Sequence, residues 1–203
     1  MRYFTAISKS YYKEAEQLVV SGMKHGYNIE VLEVPDAKSR EHFINQKPTF
    51  IKKMMSSGGV CWLDSDTRIC DRLPIIDNFV NDGFSFGVLC FARVRTPKGL
   101  GIINRRLPEM IDLPMLCSGG VYVISPNMGW LLDKWEENCM AKIEKEIGDD
   151  IRFDQTYNSL TQSEKLSISL LPLPAEYNRM ISHFSNLKPI IDHLVVGSGS
   201  KLL

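Results

Sequence analysis

Val60-Cys61-Trp62-Leu63-Asp64-Ser65-Asp66 is a short apolar run that ends abruptly in two carboxylates one residue apart. An unbroken apolar run of this length reads as a strand buried on both faces, as in sheets covered by helices on each side. Open α/β sheets gather their ligands outside the carboxyl ends of the strands, so Asp64 and Asp66 mark the place where function is expected. Residues i and i+2 of an extended chain point the same way, which predicts that both carboxylates face one space. Held that close, they repel unless a cation is near. A hard divalent ion suits them, and such ions usually share their coordination with substrate phosphates. The competing reading is a strand end with two solvated acids, because aspartate favours turns.

Strand and helix patterns alternate on both sides of this stretch, which predicts an α/β fold with a mostly parallel central sheet flanked by helices. Residues 3–8 and 28–34 read as strands. Between them Tyr11, Ala15, Leu18, Val19 and Met23 recur at helical spacing, and Gly26 is placed to stop that helix. Pro48 is expected to open a second helix with Phe50, Ile51, Met54 and Met55 on one face, before Gly58-Gly59 returns the chain to the aspartate strand. Residues 84–91 and 121–124 read as further strands, with 92–116 irregular between them. Ser125-Pro126 supplies a cap and first-turn proline for a helix whose seam is Met128, Leu131, Leu132, Trp135, Cys139, Ile143 and Ile147, closed by Gly148. Residues 168–171 are the last expected strand, followed from Pro189 by a Gly- and Ser-rich tail with one histidine.

No repeat, low-complexity segment or linker divides the chain, and its 203 residues, 44% of them hydrophobic, are enough for one buried core, so one domain over 1–203 is expected. The 24 Lys and Arg balance the 24 Asp and Glu, which argues against binding nucleic acid or a membrane surface through net charge alone. No stretch approaches the ~18 continuous apolar residues of a membrane span, and the opening residues resemble a strand rather than a signal segment. The cysteines at 61, 70, 90, 117 and 139 are odd in number and lack metal-type spacing, which suggests reduced thiols and a cytoplasmic protein.

The order of motifs resembles the GT-A fold glycosyltransferases, nucleotide-diphospho-sugar transferases related to glycosyltransferase family 8. Its carriers are Thr5-Ala6-Ile7-Ser8 with Tyr11, Lys47-Pro48-Thr49-Phe50-Ile51, Cys61-Trp62-Leu63-Asp64-Ser65-Asp66 and Cys117-Ser118-Gly119-Gly120-Val121. Phe153-Asp154-Gln155, Leu173-Pro174-Ala175-Glu176-Tyr177-Asn178 and Ile191-Asp192-His193 complete the set. The resemblance implies that Asp64 and Asp66 hold a divalent ion bridging the donor diphosphate, with His193 as third protein ligand. An imidazole beside two carboxylates favours Mn2+, with Mg2+ as a substitute. The family's His-x-x-Gly-x-x-Lys element is looser here, because Gly197 and Lys201 each follow with one extra residue; Lys201 is the implied diphosphate contact.

The same resemblance implies that Thr5, Ala6 and Ser8 line a base pocket on which Tyr11 stacks. Lys47, Ser65, Ser118, Gly119 and Gly120 fall on the donor side, where missing side chains let sugar or diphosphate approach the backbone. Asp154 is implied in sugar binding and Gln155 as the group facing the reacting carbon, while Glu176-Tyr177-Asn178 shapes the donor or acceptor side. Each has a plainer counterpart: Tyr11 as a helix-face aromatic packing inward, the glycines as a tight turn, Asp150 and Asp154 as solvated acids after a helix end.

The implied reaction transfers a hexose or pentose from a nucleoside diphosphate sugar, expected to be a UDP-sugar, to a hydroxyl acceptor. The Asp-Gln pair leans toward retention, while inversion would call on a carboxylate such as Asp150 or Asp112. Arg93, Arg95, Lys98, Arg105 and Arg106 form a basic run with no acid before Glu109. That run is either a solvated face or a site for an anionic acceptor: glycan, lipid head group or modified DNA. Two alternatives stand beside the transferase. Asp64-Ser65-Asp66-Thr67 also looks like the first motif of haloacid dehalogenase-type phosphatases, with Gly148-Asp149-Asp150 as their acidic motif. A nucleotide-sugar-binding protein without turnover is the other.

Overall fold

The computed structural model describes residues 1–35, 43–96, 99–103, 116–141, 149–180 and 188–194. The chain forms β1 (Arg2–Ile7), a 3-10 turn (Lys9–Tyr11), α1 (Tyr12–Lys24), β2 (Ile29–Glu33), α2 (Lys47–Met54), β3 (Val60–Leu63), β4 (Thr67–Ile69) and α3 (Pro74–Asp77). It continues with β5 (Phe86–Thr96), β6 (Gly99–Ile103), β7 (Leu116–Ile124), α4 (Gly129–Met140), α5 (Asp149–Ser159) and α6 (Gln162–Leu166). Three short strands follow: β8 (Leu170–Pro172), β9 (Arg179–Met180) and β10 (Ile191–His193).

The main sheet has the order β2-β1-β3-β7-β5-β6, with β8 added beside β5. Strands β1, β2, β3, β5 and β8 run in one direction, while β7 and β6 oppose them. The sheet is therefore mostly parallel by direction, as expected, with an antiparallel strand set into its middle. A second sheet, β4-β10-β9, lies beyond the carboxyl end of β3.

The period of two along the strands divides the core cleanly between the two faces. Phe4, Ala6, Trp62, Phe86, Val88, Tyr122 and Ile124 pack against Phe50, Ile51 and Met54 of α2 and Leu131, Leu132 and Trp135 of α4. Their neighbours Tyr3, Cys61, Leu63, Val121 and Val123 pack on the other face with Leu18 of α1 and Ile76 of α3. All four residues of β3 are buried, as a strand covered on both sides must be. Phe153 of α5 stacks on Phe86 at 4.7 Å and meets Trp135 edge-on at 5.1 Å, which fastens α5 to the sheet.

The structure departs from the sequence expectations in four places. Residues 92–116 are not all irregular: β5 continues to Thr96 and pairs with β6, Ala92 opposite Ile103 and Thr96 opposite Gly99. Arginine, threonine and glycine mask the alternation there, and cross-strand pairing supplies the order that the pattern lacks. The long apolar seam ends its helix at Met140, while Ile143, Ile147 and Gly148 lie outside the described residues. Asp150 and Asp154 belong to α5 itself rather than to a loop after a helix. His193 is not in an irregular tail but in β10, paired on both sides.

Candidate functional site

The site begins where β3 stops pairing with β7. Leu63 lies opposite Val121, and one step further the Asp64 N–H donates to the Gly120 carbonyl at 2.9 Å. The chain then turns at once: the Thr67 N–H and the Thr67 hydroxyl both donate to the Asp64 carbonyl, at 2.9 and 2.7 Å. The two carboxylates thus converge through a hydroxyl-closed turn and not through strand extension, which corrects the i, i+2 expectation. Threonine suits that position because its side chain repeats the backbone hydrogen bond.

Strand β4, which leaves this turn, pairs antiparallel with β10 and sets His193 opposite Thr67. The Leu194 N–H donates to the Asp66 carbonyl at 3.1 Å and holds the register. His193 Nε2 then lies 3.3 Å from Asp66 Oδ1 and 3.8 Å from Asp64 Oδ2. One ligand atom from each of the three residues falls within 4.8 Å of the others, a spacing that suits one divalent ion. On the far side of the ring, Nδ1 is 3.1 Å from Asn178 Oδ1. An amide oxygen only accepts, so Nδ1 carries a hydrogen and Nε2 is the nitrogen presented to the carboxylates. Gly120 completes the cradle, since a Cβ there would collide with the His193 ring and with Asn178 Oδ1.

The charges are arranged with equal economy. Burial alone pushes the His193 imidazolium pKa down, but its hydrogen bond to Asp66 and the charges of Asp64 and Asp66 outweigh this, and the net shift is upward. A proton on Nε2 and a divalent cation are thus alternative ways of satisfying the same carboxylates. Asp64 Oδ1 points away from this cluster, accepting from Lys47 Nζ at 3.0 Å and from the Trp62 indole N–H at 2.6 Å. Lys47 is 3% exposed, donates also to the Gly119 carbonyl at 2.8 Å, and lies 5.0 Å from the Trp62 ring centre and 5.5 Å from that of Tyr122.

Thus Asp64, Asp66, His193, Lys47, Gly119 and Gly120 come together from segments far apart in the chain. Thr5 and Ala6 are buried in β1, the neighbour of β3, and Ser8 and Tyr11 follow at its carboxyl end, both half-buried. The Thr5 hydroxyl has no hydrogen-bond partner among the described residues. Ser65 sits in the turn between the aspartates, and Ser118 pairs through its backbone with Leu89. Asp154 is 7% exposed on α5 and Gln155 is exposed beside it. Phe153 brings that helix within 5.8 Å of Tyr122, two residues along β7 from Gly120. Buried Arg152 places a guanidinium nitrogen 3.5 Å from Gln155 Oε1. Lys201 and Asp112 lie outside the described residues, as do Lys98, Arg105 and Arg106.

Sequence reasoning placed Trp62 in a strand, and gave Asn178 a part only in shaping the donor or acceptor side. The first was legible, because Trp62 and Asp64 share a strand face. Nothing in the sequence links Asn178 with His193, whose contact depends on a 3-10 turn over Ala175–Asn178 beside β10.

No family model matches the chain, and no curated protein matches it. Solved structures do. A glycosyltransferase involved in the glycosylation of the major capsid of PBCV-1 superposes with a TM-score of 0.63 over 97% of this chain and 94% of that one, at 14% sequence identity. The chain has the GT-A glycosyltransferase fold. The same fold aligns with the galactosyltransferase LgtC, solved with donor and acceptor sugar analogues, at a TM-score of 0.56 and 12% identity over 95% of this chain and 86% of that one. GlyE of Streptococcus pneumoniae TIGR4 aligns at a TM-score of 0.53 and 16% identity over 95% of this chain, which spans about half of GlyE, 54%. In this GT-A frame the carboxylate turn follows β3, and the glycines of β7 lie beside it.

Proposed function

We propose that this GT-A protein is a metal-dependent glycosyltransferase, one domain over 1–203, that moves a sugar from a UDP-sugar to a hydroxyl acceptor with retention of configuration. The observation that carries this reading is the convergence of Asp64, Asp66 and His193 at the carboxyl end of β3. Two carboxylates and an imidazole, with a glycine where a side chain would block them, fit Mn2+, and Mg2+ less well. When bound, the ion supplies Lewis-acid stabilisation of the charge that develops on the departing diphosphate.

The remaining roles fall to the chain's own residues. Thr5, Ala6 and Ser8 border the base, with Tyr11 as the stacking ring. Ser65, Ser118 and the bare backbone of Gly119-Gly120 admit diphosphate and sugar, with Lys201 as a further diphosphate contact. Asp154 accepts from sugar hydroxyls and Gln155 faces the reacting carbon. Proton transfer from the acceptor to the leaving phosphate oxygen removes the need for a separate strong base. Arg93 and Arg95, two residues apart on β5, favour an acceptor with an anionic group. Asp149 and Asp150, the acidic pair of the phosphatase alternative, lie in α5. Among the described residues no helix is long and apolar enough to cross a membrane.

Calorimetric titration of UDP with and without Mn2+, into wild type and Asp66→Ala, tests the reading. Metal-dependent UDP binding that weakens at least about tenfold in the variant is expected. UDP binding indifferent to Mn2+, or none at all, would sink it. Hydrolysis of donor with Mn2+ separates the enzyme from a binding protein without turnover.

A further inference from the structure

The carboxylate turn carries four backbone carbonyls, from Asp64 to Thr67. That of Asp64 accepts from Thr67, and that of Asp66 from the Leu194 N–H. One side chain serves the other two: Arg68 Nη1 donates to the Ser65 carbonyl at 3.1 Å and to the Thr67 carbonyl at 2.6 Å. Thr67 and Ile69 are the buried residues of β4, so Arg68 lies on the opposite face of that strand and reaches back along the turn to make these bonds.

The far side of the guanidinium is held as well. Nη2 donates to Gln17 Oε1 on α1, and the Ser21 hydroxyl, four residues on and on the same helix face, accepts from the Ile69 N–H at 3.0 Å. Helix α1 therefore backs β4 at two successive residues. A planar guanidinium with fixed donors spans backbone carbonyls and a side-chain amide at once, which a compact ammonium does less well. Its charge is a separate matter, since the carboxylates of Asp66, Glu14 and Asp192 all act on it. A cation beside Asp66 by itself counts against binding a second cation, so holding the turn and carrying the charge have opposite effects on metal affinity. We propose that Arg68 is a positioning residue of this centre, clamping the carboxylate turn against α1 so that Asp64 and Asp66 stay converged before any ion arrives. The clamp deepens the metal reading above, on which its effect on ion binding rests.

The test combines amide hydrogen exchange without metal and calorimetric titration of Mn2+, on wild type, Arg68→Met and Arg68→Lys, with near-ultraviolet circular dichroism to certify folding. In Arg68→Met the Thr67 and Leu194 amides should exchange at least about tenfold faster than in wild type, while those of β1 and β2 keep their rates. Mn2+ should bind at least about tenfold more weakly, as when an outer partner of a metal site is removed. Arg68→Lys, which keeps the charge but not the fork, should fall between the two in both readings. Equal acceleration of all amides, unchanged turn amides, or Mn2+ binding as tight as in wild type or tighter, in folded Arg68→Met, overturns the proposal. If Arg68→Met does not fold, Arg68→Lys must show both changes, and wild-type behaviour there overturns it. Faster exchange confined to the turn, with no Mn2+ binding in any of the proteins, upholds the clamp and removes the metal reading. Mn2+ binding that is the same in all three, with unchanged turn amides, does the reverse.

Discussion

Asp64 shows how much a single carboxylate is asked to do here. Its backbone is tied to β7, its carbonyl closes a turn, and its two oxygens face different partners. Gly120 is its counterpart on the neighbouring strand, and the absence of a side chain is what lets the His193 ring and Asn178 close over it. Gly120→Ala is expected to cost about 1–3 kcal/mol of stability, because the collision is with packed groups and not with flexible tips. Mn2+ binding should be lost with it. Urea denaturation and metal titration check the two halves, and an alanine variant with wild-type stability and metal affinity would contradict the cradle. At this scale the sequence was partly readable: the carboxylates and His193 announce themselves as chemistry, but the contact of His193 with Asn178 belongs to a turn that no local pattern foretells.

Among elements, the strands were legible wherever both faces are buried, because a run such as 60–63 has no other stable use. The hairpin of β5 and β6 was not, since its residues alternate weakly and its order comes from pairing. Helix α6 was not read from the sequence, although it opens with a capping box in which Thr161 accepts from the Glu164 N–H and Glu164 accepts from the Thr161 N–H at 2.8 Å. Lys134, bonded to Glu164 at 2.6 Å, together with the Thr161 cap holds that carboxyl down at about 2. A pKa depressed in the folded state contributes stability that is fully present above the unfolded value and disappears as pH falls through the folded one. The difference in urea midpoint between wild type and Glu164→Gln should therefore be constant near neutrality, shrink below the ordinary carboxylate pKa of about 4.5 and vanish near 2. A difference that persists unchanged in acid would rule out this carboxylate as its source.

For the molecule as a whole, the fold was readable because the apolar pattern assigns nearly every strand residue to one face or the other. The position of β7 was not readable, since antiparallel insertion between β3 and β5 depends on a long-range choice of neighbour. Phe153 joins these levels: it stacks on Phe86 and meets Trp135 and Tyr122, while the next two residues are Asp154 and Gln155. Phe153→Ala should lose about 3–5 kcal/mol of stability. Donor affinity should fall as α5 loosens, while Mn2+ affinity stays close to wild type, because the metal cluster is carried by the β3 turn and β10. Thermal unfolding with separate titrations of Mn2+ and UDP-sugar distinguishes these effects, and equal losses of both affinities would show that α5 and the metal centre move as one.

The candidate metal site takes its imidazole from β10, late in the order of synthesis. A ribosome that has delivered β1 through β8 has delivered every strand of the main sheet, yet the two carboxylates still lack their imidazole. A chain stalled, or clipped by a protease, just ahead of Ile191 lacks His193, the third residue of the candidate metal site. The candidate ion site is thereby completed only after the described strands of the main sheet have been translated.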